Sequence, residues 1–245
     1  MADVDVIIPA YKACDTIARA LASIAAQTVR PERVIVVVDG SNDGTREAAE
    51  ACRSQMNGVD LTVIWQENLG AGAARNRAIE EAMATYLAFL DADDEWLPEK
   101  LAETMPRIEG TDNVLISHNV IVSDRGTETR IDCHRRFTDS GGSFSGLYRR
   151  GYISTSTVVA RRTAVIAVGG FDTSLPNAQD FDLWLALTRK GAPFEVFDEW
   201  LTRYHVTQGS IMSNTARRLN CCSTIALRYD EASLPDLWFR LLAIH

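Results

Sequence analysis

The chain has 245 residues, of which 46% are hydrophobic and 24% charged, with 15 Gly and 7 Pro; this composition excludes disorder, collagen and a long coiled coil. A chain of this length buries roughly 70 to 75% of its unfolded surface, so its core needs no metal or disulfide staple. The net charge of -8 argues against a nucleic-acid binder, because neutralising phosphates takes a basic surface, but it leaves room for an anionic ligand bridged by a cation.

The opening Met1-Ala2-Asp3-Val4-Asp5 carries acids where a secretory signal would be basic, and no stretch reaches the length of a membrane span. Cys14, Cys52, Cys133, Cys221 and Cys222 are odd in number and show no C-x-x-C spacing, which suggests neither a disulfide framework nor a zinc site. A reduced, cytoplasmic protein is expected.

Short apolar runs and helical patterns alternate through the first hundred or so residues. Val4–Ile8 is a strand, Thr16–Gln27 a helix, Val34–Val38 a β-branched strand, and Thr45–Gln55 a second helix after the turn cluster Asp39–Gly44. Leu61–Trp65, Ala73–Ala84 and Tyr86–Leu90 continue as strand, helix and strand. Buried strands separated by helices predict a parallel sheet whose binding crevice lies at the strands' carboxyl ends, where the loops after Ile8, Val38, Trp65 and Leu90 converge. Beyond Leu97 the alternation weakens. Leu101–Ile108 reads as helix, Val114–Val122 as strand, and Ser123–Gly151 as a long loop rich in Gly, Ser and Arg. Thr155–Ala160 and Phe194–Val196 read as strands, Phe181–Lys190 as a helix, and the chain from Thr215 onward is helical in pattern.

Three polar clusters sit at the predicted crevice. In Leu90-Asp91-Ala92-Asp93-Asp94-Glu95-Trp96 an apolar strand runs straight into a group of acids. Like charges so close repel unless a cation intervenes, and Mg²⁺ or Mn²⁺ held by one or two carboxylates, water and substrate phosphate fits; a solvated helix-capping turn is the alternative. In Asp39-Gly40-Ser41-Asn42-Asp43-Gly44-Thr45, Asp43 or Thr45 suits a helix cap, whereas Asp39 ends a buried strand and points its carboxylate at the crevice, where it can accept the imide N–H of uracil. The third, Asn68-Leu69-Gly70-Ala71-Gly72-Ala73-Ala74-Arg75-Asn76, offers the first two glycines of a dinucleotide loop but has Arg75 where the third small residue belongs, so a nicotinamide oxidoreductase is a weak rival.

Taken in order with Val6-Ile7-Ile8-Pro9-Ala10-Tyr11, Gly169-Gly170-Phe171-Asp172 and Gln179-Asp180-Phe181-Asp182-Leu183-Trp184, these clusters resemble the family 2 glycosyltransferases from Val4 to about Ser213. The resemblance implies a GT-A-like α/β fold, a mixed Rossmann-type sheet flanked by helices. It further implies an inverting transfer of a sugar from a nucleotide-sugar donor, a UDP-sugar by preference, to a hydroxyl on a growing glycan or lipid-linked glycan. Asp39 would bind uracil beside the Pro9, Ala10 and Tyr11 loop, Arg75 would hold the nucleotide, and Asp91, Ala92 and Asp93 would form the D-x-D motif. Within that motif Asp91 would lie nearer the ribose and Asp93 would ligate Mn²⁺ or Mg²⁺. Asp180 would be the catalytic base, at a helix start whose dipole favours a charged carboxylate.

The sequence departs from the family in places. Gln179 stands where Glu is frequent and Lys12 where Asn is common. Tyr204-His205-Val206-Thr207-Gln208-Gly209-Ser210 resembles a Tyr-Arg-x-His-Pro-Gly-Ser segment with His205 at the Arg position and Thr207 at the His position. This leaves His205 a candidate diphosphate contact or a structural residue.

Arg130, Arg135, Arg136, Arg149 and Arg150 could line a lid or a solvated loop; Trp184 and Trp200 could stack on a sugar or pack in the core; His118 and His134 read as ordinary polar residues. The apolar stretch Leu234–Ile244 could contact a membrane surface or a partner chain, or pack on the catalytic domain. The expected organisation is a nucleotide half over residues 1–98, an acceptor half over 99–213 and a helical tail over 214–245, working at the cytoplasmic or inner membrane face. The rival from another class is a noncatalytic nucleotide-sugar-binding or scaffold subunit.

Overall fold

The computed structural model describes residues 1–207 and 215–229. The expected alternation is present in the first half: β1 (Ala2–Ala10), α1 (Ile17–Ala25), β2 (Pro31–Asp39), α2 (Thr45–Ala51), β3 (Asp60–Gln66), α3 (Ala71–Glu81) and β4 (Tyr86–Phe89). β1 pairs in parallel with β2 and β4, and β2 with β3. Apolar side chains on both faces of β1, β2 and β4 make these three interior strands, while the half-exposed β3 forms the sheet edge. Val4, Val6 and Ile8 of β1 and Val34, Val36 and Val38 of β2 join the α1 face with Ile17, Leu21 and Ile24. Ile7, Ile35 and Val37 pack with Ala74 and Ala78 of α3 on the other face. The small residues of α3 let that helix lie close to the sheet.

The remaining elements are β5 (Glu95–Trp96), α4 (Lys100–Ile108), β6 (Leu115–Asp124), β7 (Thr127–Ile131), α5 (Cys133–Asp139), α6 (Phe144–Arg150), β8 (Val159–Arg161), α7 (Arg162–Ala167), α8 (Gln179–Thr188), β9 (Phe194–His205) and α9 (Thr215–Arg228). The sheet order is β3-β2-β1-β4-β8-β6-β9-β5, with β7 on β6. β8 is antiparallel to both β4 and β6, so the sheet is mixed, as expected. The chain winds outward from β1 through β2 to β3 and then returns to place β4 on β1's other side. The carboxyl ends of β1 and β4 therefore flank the topological switch point where such sheets open a crevice.

Three expectations are corrected. Ser123–Gly151 is not a loop but holds β7, α5 and α6, all short and therefore weak in periodicity. Thr155–Thr157 forms a 3-10 turn rather than the start of a strand. β9 extends to His205, far beyond Val196, because Asp198 and Glu199, which break its apolar pattern, are accommodated where the β6–β9 register shifts, with the Asn119 amide donating to Asp198 Oδ1 at 2.9 Å.

The described part of the tail, α9, docks on α8. Arg228 reaches Asp182 at 2.8 Å and Asp172 at 2.7 Å, and Ile225 and Ala226 are buried in the α3-face core. The boundary near residue 213 and the stretch Leu234–Ile244 lie outside the described residues. Among the described residues no helix is long and apolar enough to cross a membrane.

Candidate functional site

β2 ends on Asp39, which is 2% exposed. Its Oδ1 accepts from the Gln66 amide at 2.8 Å and the Leu69 N–H at 2.9 Å, and its Oδ2 from the Gly70 N–H at 2.8 Å. Three donors occupy three of the roughly four lone-pair directions of a carboxylate, which leaves one acceptor direction on Oδ2. The Gly70 N–H is thereby committed to Asp39, so the Gly70–Gly72 segment does not offer the dinucleotide cradle that the spacing suggested. Gly40 sits at φ +72°, and a Cβ there would lie 2.6 Å from the Asn68 backbone nitrogen. Only glycine permits this close approach of the two loops.

The β1–α1 loop is tied to the same segment: the Lys12 N–H donates to Ser41 Oγ at 2.7 Å and the Ala13 N–H to Thr45 Oγ1 at 2.9 Å. The N-cap position of α2 is Gly44, in a left-handed conformation, rather than Asp43 or Thr45; Asp43, one residue before it, accepts from the Thr45 hydroxyl at 2.6 Å and the Thr45 amide at 3.2 Å. Burial would raise the Asp43 carboxyl, but these bonds and the Cys14 amide hold it below its ordinary value. Pro9 and Ala10 end β1, and the next residue, Tyr11, is 52% exposed with the Lys12 ammonium 5.3 Å from its ring centre.

β4 delivers the acidic loop opposite. Arg75, on α3, donates to Asp91 Oδ1 at 2.6 Å, and its guanidinium lies 5.2 Å from the Phe171 ring centre. Adjacent acids in this loop differ in environment. Asp94 is fully buried, its Oδ2 taking the Ser156 hydroxyl and its Oδ1 the His205 N–H at 3.1 Å. Burial, reinforced by the charges of Asp91 and Asp93, pushes the Asp94 carboxyl well above the usual range. Asp93 is raised by burial and by Asp91, with the Thr207 hydroxyl, 3.1 Å from its Oδ2, and Arg19 opposing the rise. Arg19 of α1 also donates to the Asp93 carbonyl. Ala92, between these acids, is buried in the α1-face core.

Among the described residues no group of three or more His, Cys, Asp or Glu side chains surrounds one metal position. The acidic loop still fits a hard cation, because Asp91 and Asp93 are adjacent oxygen donors whose mutual repulsion a cation would relieve. Mg²⁺ and Mn²⁺ are commonly held by one or two carboxylates with water and substrate phosphate completing the shell. The His205 backbone binds the acidic loop, while its imidazole Nε2 lies 3.6 Å from Glu95 Oε1, beside the Glu95–Arg203 pair. Burial and then Arg19 hold this imidazole below its ordinary value. Thr207, at the position where the resembling segment has His, is the residue of this strand end whose side chain reaches Asp93. Gln208, Gly209 and Ser210 lie outside the described residues.

Asp180 is the second residue of α8, after Ala178 at φ +59°. Its Oδ2 accepts the Thr155 hydroxyl at 2.6 Å and its Oδ1 the Phe181 N–H at 2.8 Å. The start of α8 touches the start of α3, since a Cβ on Gly72 would meet Gln179 Cγ at 3.2 Å. Trp184 is fully buried, edge-on to Phe89 and Phe171, and so packs the core instead of offering a sugar platform. His118 is buried too, its Nδ1 2.7 Å from the Asn119 carbonyl, and its imidazole is pushed down to about 3 by burial and by Lys100. Four residues that the motifs did not single out, Arg19, Gln66, Thr155 and Ser156, bond directly to the aspartates of the site, Arg19 through the Asp93 carbonyl.

The Glycosyl transferase family 2 model matches residues 5–169. Among curated proteins, the amylovoran biosynthesis glycosyltransferase AmsB of Erwinia amylovora is 29% identical over 208 residues, covering 82% of this chain and 69% of that protein. The putative teichuronic acid biosynthesis glycosyltransferase TuaG of Bacillus subtilis is 29% identical over 215 residues, covering 86% and 82%. Among solved structures, S. aureus TarS in complex with UDP-GlcNAc superposes with a TM-score of 0.78 at 21% identity, over 100% of this chain and 72% of that one. The mannosyltransferase PcManGT of Pyrobaculum calidifontis, in complex with GDP-Man and Mn²⁺, gives 0.72 at 21% identity, over 99% and 68%. The curled mixed sheet is thus the GT-A-like fold, and with two thirds of its length matched by the family model, the chain belongs to glycosyl transferase family 2 and is a glycosyltransferase of glycan biosynthesis.

Proposed function

We propose that the chain transfers a sugar from a UDP-sugar to a hydroxyl of a growing glycan, with inversion at the anomeric carbon, using a divalent cation and Asp180 as base. The observation that carries this reading is the gathering, at one end of the sheet, of Asp39 at the end of β2 and of Asp91 and Asp93 in the loop after β4, with Arg75 of α3 paired to Asp91 and Asp180 of α8 joined to that loop through the Thr155–Ser156 turn. The remaining acceptor direction of Asp39 suits the uracil imide N–H, and the exposed ring of Tyr11, next to Pro9 and Ala10, suits stacking on the base. Arg75 orients Asp91 toward the ribose. TarS, whose fold this chain shares, holds UDP-GlcNAc, which supports a UDP donor.

Mn²⁺ or Mg²⁺ held by Asp93, with Asp91 beside it, would neutralise the charge that develops on the departing diphosphate. The protein's part is to hold the nucleotide, to fix the acidic loop through Ser156, His205 and Thr207, and to take the acceptor's proton at an Asp180 oxygen. The Thr155 and Phe181 donors aim that carboxylate. One displacement inverts the anomeric carbon, so no glycosyl-enzyme intermediate forms. The roles of AmsB and TuaG in amylovoran and teichuronic acid biosynthesis support a glycan acceptor, and the form proposed for it is a glycan or lipid-linked glycan met at the inner face of a membrane. Residues 1–98 would serve the donor and 99–213 the acceptor, and His205 is retained as a candidate diphosphate contact. Asp180→Asn tests the base: transfer should fall at least about a hundredfold while UDP-sugar binding persists. Unchanged transfer would remove Asp180 from that role, and binding without turnover in the wild type would favour the noncatalytic subunit.

A further inference from the structure

The turn Ser154-Thr155-Ser156-Thr157 lies between the two sides of the proposed site, and its hydroxyls are spent on both. Thr155 is 5% exposed and donates to Asp180 Oδ2 at 2.6 Å. Its neighbour Ser156 is fully buried; it accepts the Asp91 N–H at 3.1 Å and donates to Asp94 Oδ2. Two consecutive residues therefore grip the α8 carboxylate with one side chain and the acidic loop with the other. The turn itself is anchored from three strands. The Ser156 carbonyl accepts from the Trp96 indole at 2.7 Å and from the Thr202 hydroxyl at 3.1 Å, and Thr157 Oγ1 lies 2.7 Å from Ser117 Oγ. Thr157 also donates to the Ser154 carbonyl at 2.7 Å. Burying hydroxyls is costly unless each is paired, and an apolar turn would fill the same space. Polar partners account for the residue choice, and two of those partners are carboxyl groups on opposite sides of the site.

We infer that Thr155 and Ser156 are positioning residues, and that this turn sets the placement of the base relative to the cation-binding loop. The inference rests on the reading of Asp180 and Asp91–Asp93 given above. A shift of about 1 Å at a reacting group can cost about a hundredfold in rate, so the two residues should fail in different ways. Thr155→Val keeps the shape and removes the hydroxyl. It should lower kcat about tenfold to a hundredfold with the KM for the UDP-sugar unchanged, and Thr155→Ser should recover most of the loss. Ser156→Ala frees the Asp91 amide and Asp94, and should raise both the Mn²⁺ concentration needed for half-maximal rate and the KM for the donor. Melting temperatures and UDP binding measured on the same variants separate positioning from unfolding.

The inference is overturned if Thr155→Val keeps kcat within twofold, or if Thr155→Ser is as impaired as Thr155→Val. It is also overturned if Ser156→Ala leaves both the Mn²⁺ requirement and the donor KM at wild-type values. Failure of the underlying reading shows separately, as an Asp180→Asn enzyme that still transfers.

Discussion

Asp94 offers a test of how the acidic loop is built. It is fully buried, takes one donor from the Ser156 hydroxyl and one from the His205 N–H, and has its carboxyl pushed well above the ordinary range by burial, then by Asp91 and Asp93. A carboxylic acid whose affinity for protons is higher folded than unfolded weakens the fold as pH rises, because the folded state then binds more protons than the unfolded one. The penalty is absent below the free carboxylate value, grows as pH climbs through it, and levels off above the folded value. Each unit between the two costs about 1.4 kcal/mol. Asp94→Asn keeps an oxygen for the His205 N–H and is neutral at every pH. Without added metal it should therefore be more stable than the wild type at pH 7 by about 1 kcal/mol or more, a shift of about 2–4 °C for each kcal/mol in a chain of this size. The gain should shrink toward zero near pH 3.5. Thermal melts of both proteins across pH 3.5 to 8 decide it. An Asp94→Asn protein less stable at pH 7, by a margin that does not change with pH, would refute the reasoning and show Asp94 to be a charged partner.

Lys100 is fully buried, with Nζ 4.0 Å from the Trp96 ring centre and no hydrogen-bond partner among the described residues, and burial pushes its ammonium well below the ordinary value. The unfolded state then binds more protons, so Lys100→Met should stabilise the chain at neutral pH by about 1 kcal/mol or more, an advantage that fades as pH approaches 10; pH-dependent denaturant melts measure it. Gly40→Ala forces a Cβ against the Asn68 backbone at φ +72° and should cost about 1–3 kcal/mol while weakening UDP binding, as read by melting and calorimetry. Arg228→Ala leaves the buried Asp182 carboxyl without its 2.8 Å partner and unpins α9 from Asp172. Because the guanidinium is partly exposed, the loss should be about 1–2 kcal/mol, with amide exchange rising in α9 ahead of the β1–β4 core.

The first half of the chain was legible because its strands and helices are long, strongly periodic and separated by recognisable turns, and because a doubly wound order dictates where the crevice opens. The second half was less so. β7, α5 and α6 are each too short to carry a clear period, and β9 is interrupted at Asp198 and Glu199, so its return to the acidic loop could not be read. That return matters most at the site: Asp93 and Asp94 are identical letters in sequence, and it is the His205 amide and the Thr207 hydroxyl, delivered by β9 and the residues after it, that give each its own partner. Thr155 was misread as strand because β-branching favours extended backbone, whereas the buried bonds of Thr155 to Thr157 hold a turn. Asp39 showed its position in the sequence, but not that three local donors already hold it.

The most direct measurement of the central claim is calorimetric titration of the wild-type chain with UDP, UDP-GlcNAc and GDP-mannose, each with Mn²⁺ and with EDTA. The uridine ligands should bind, Mn²⁺ should tighten them at least about tenfold, and Asp93→Ala should remove the Mn²⁺ effect while leaving weak UDP binding. Preference for GDP-mannose, or uridine binding indifferent to Mn²⁺ and to Asp93, would contradict that claim.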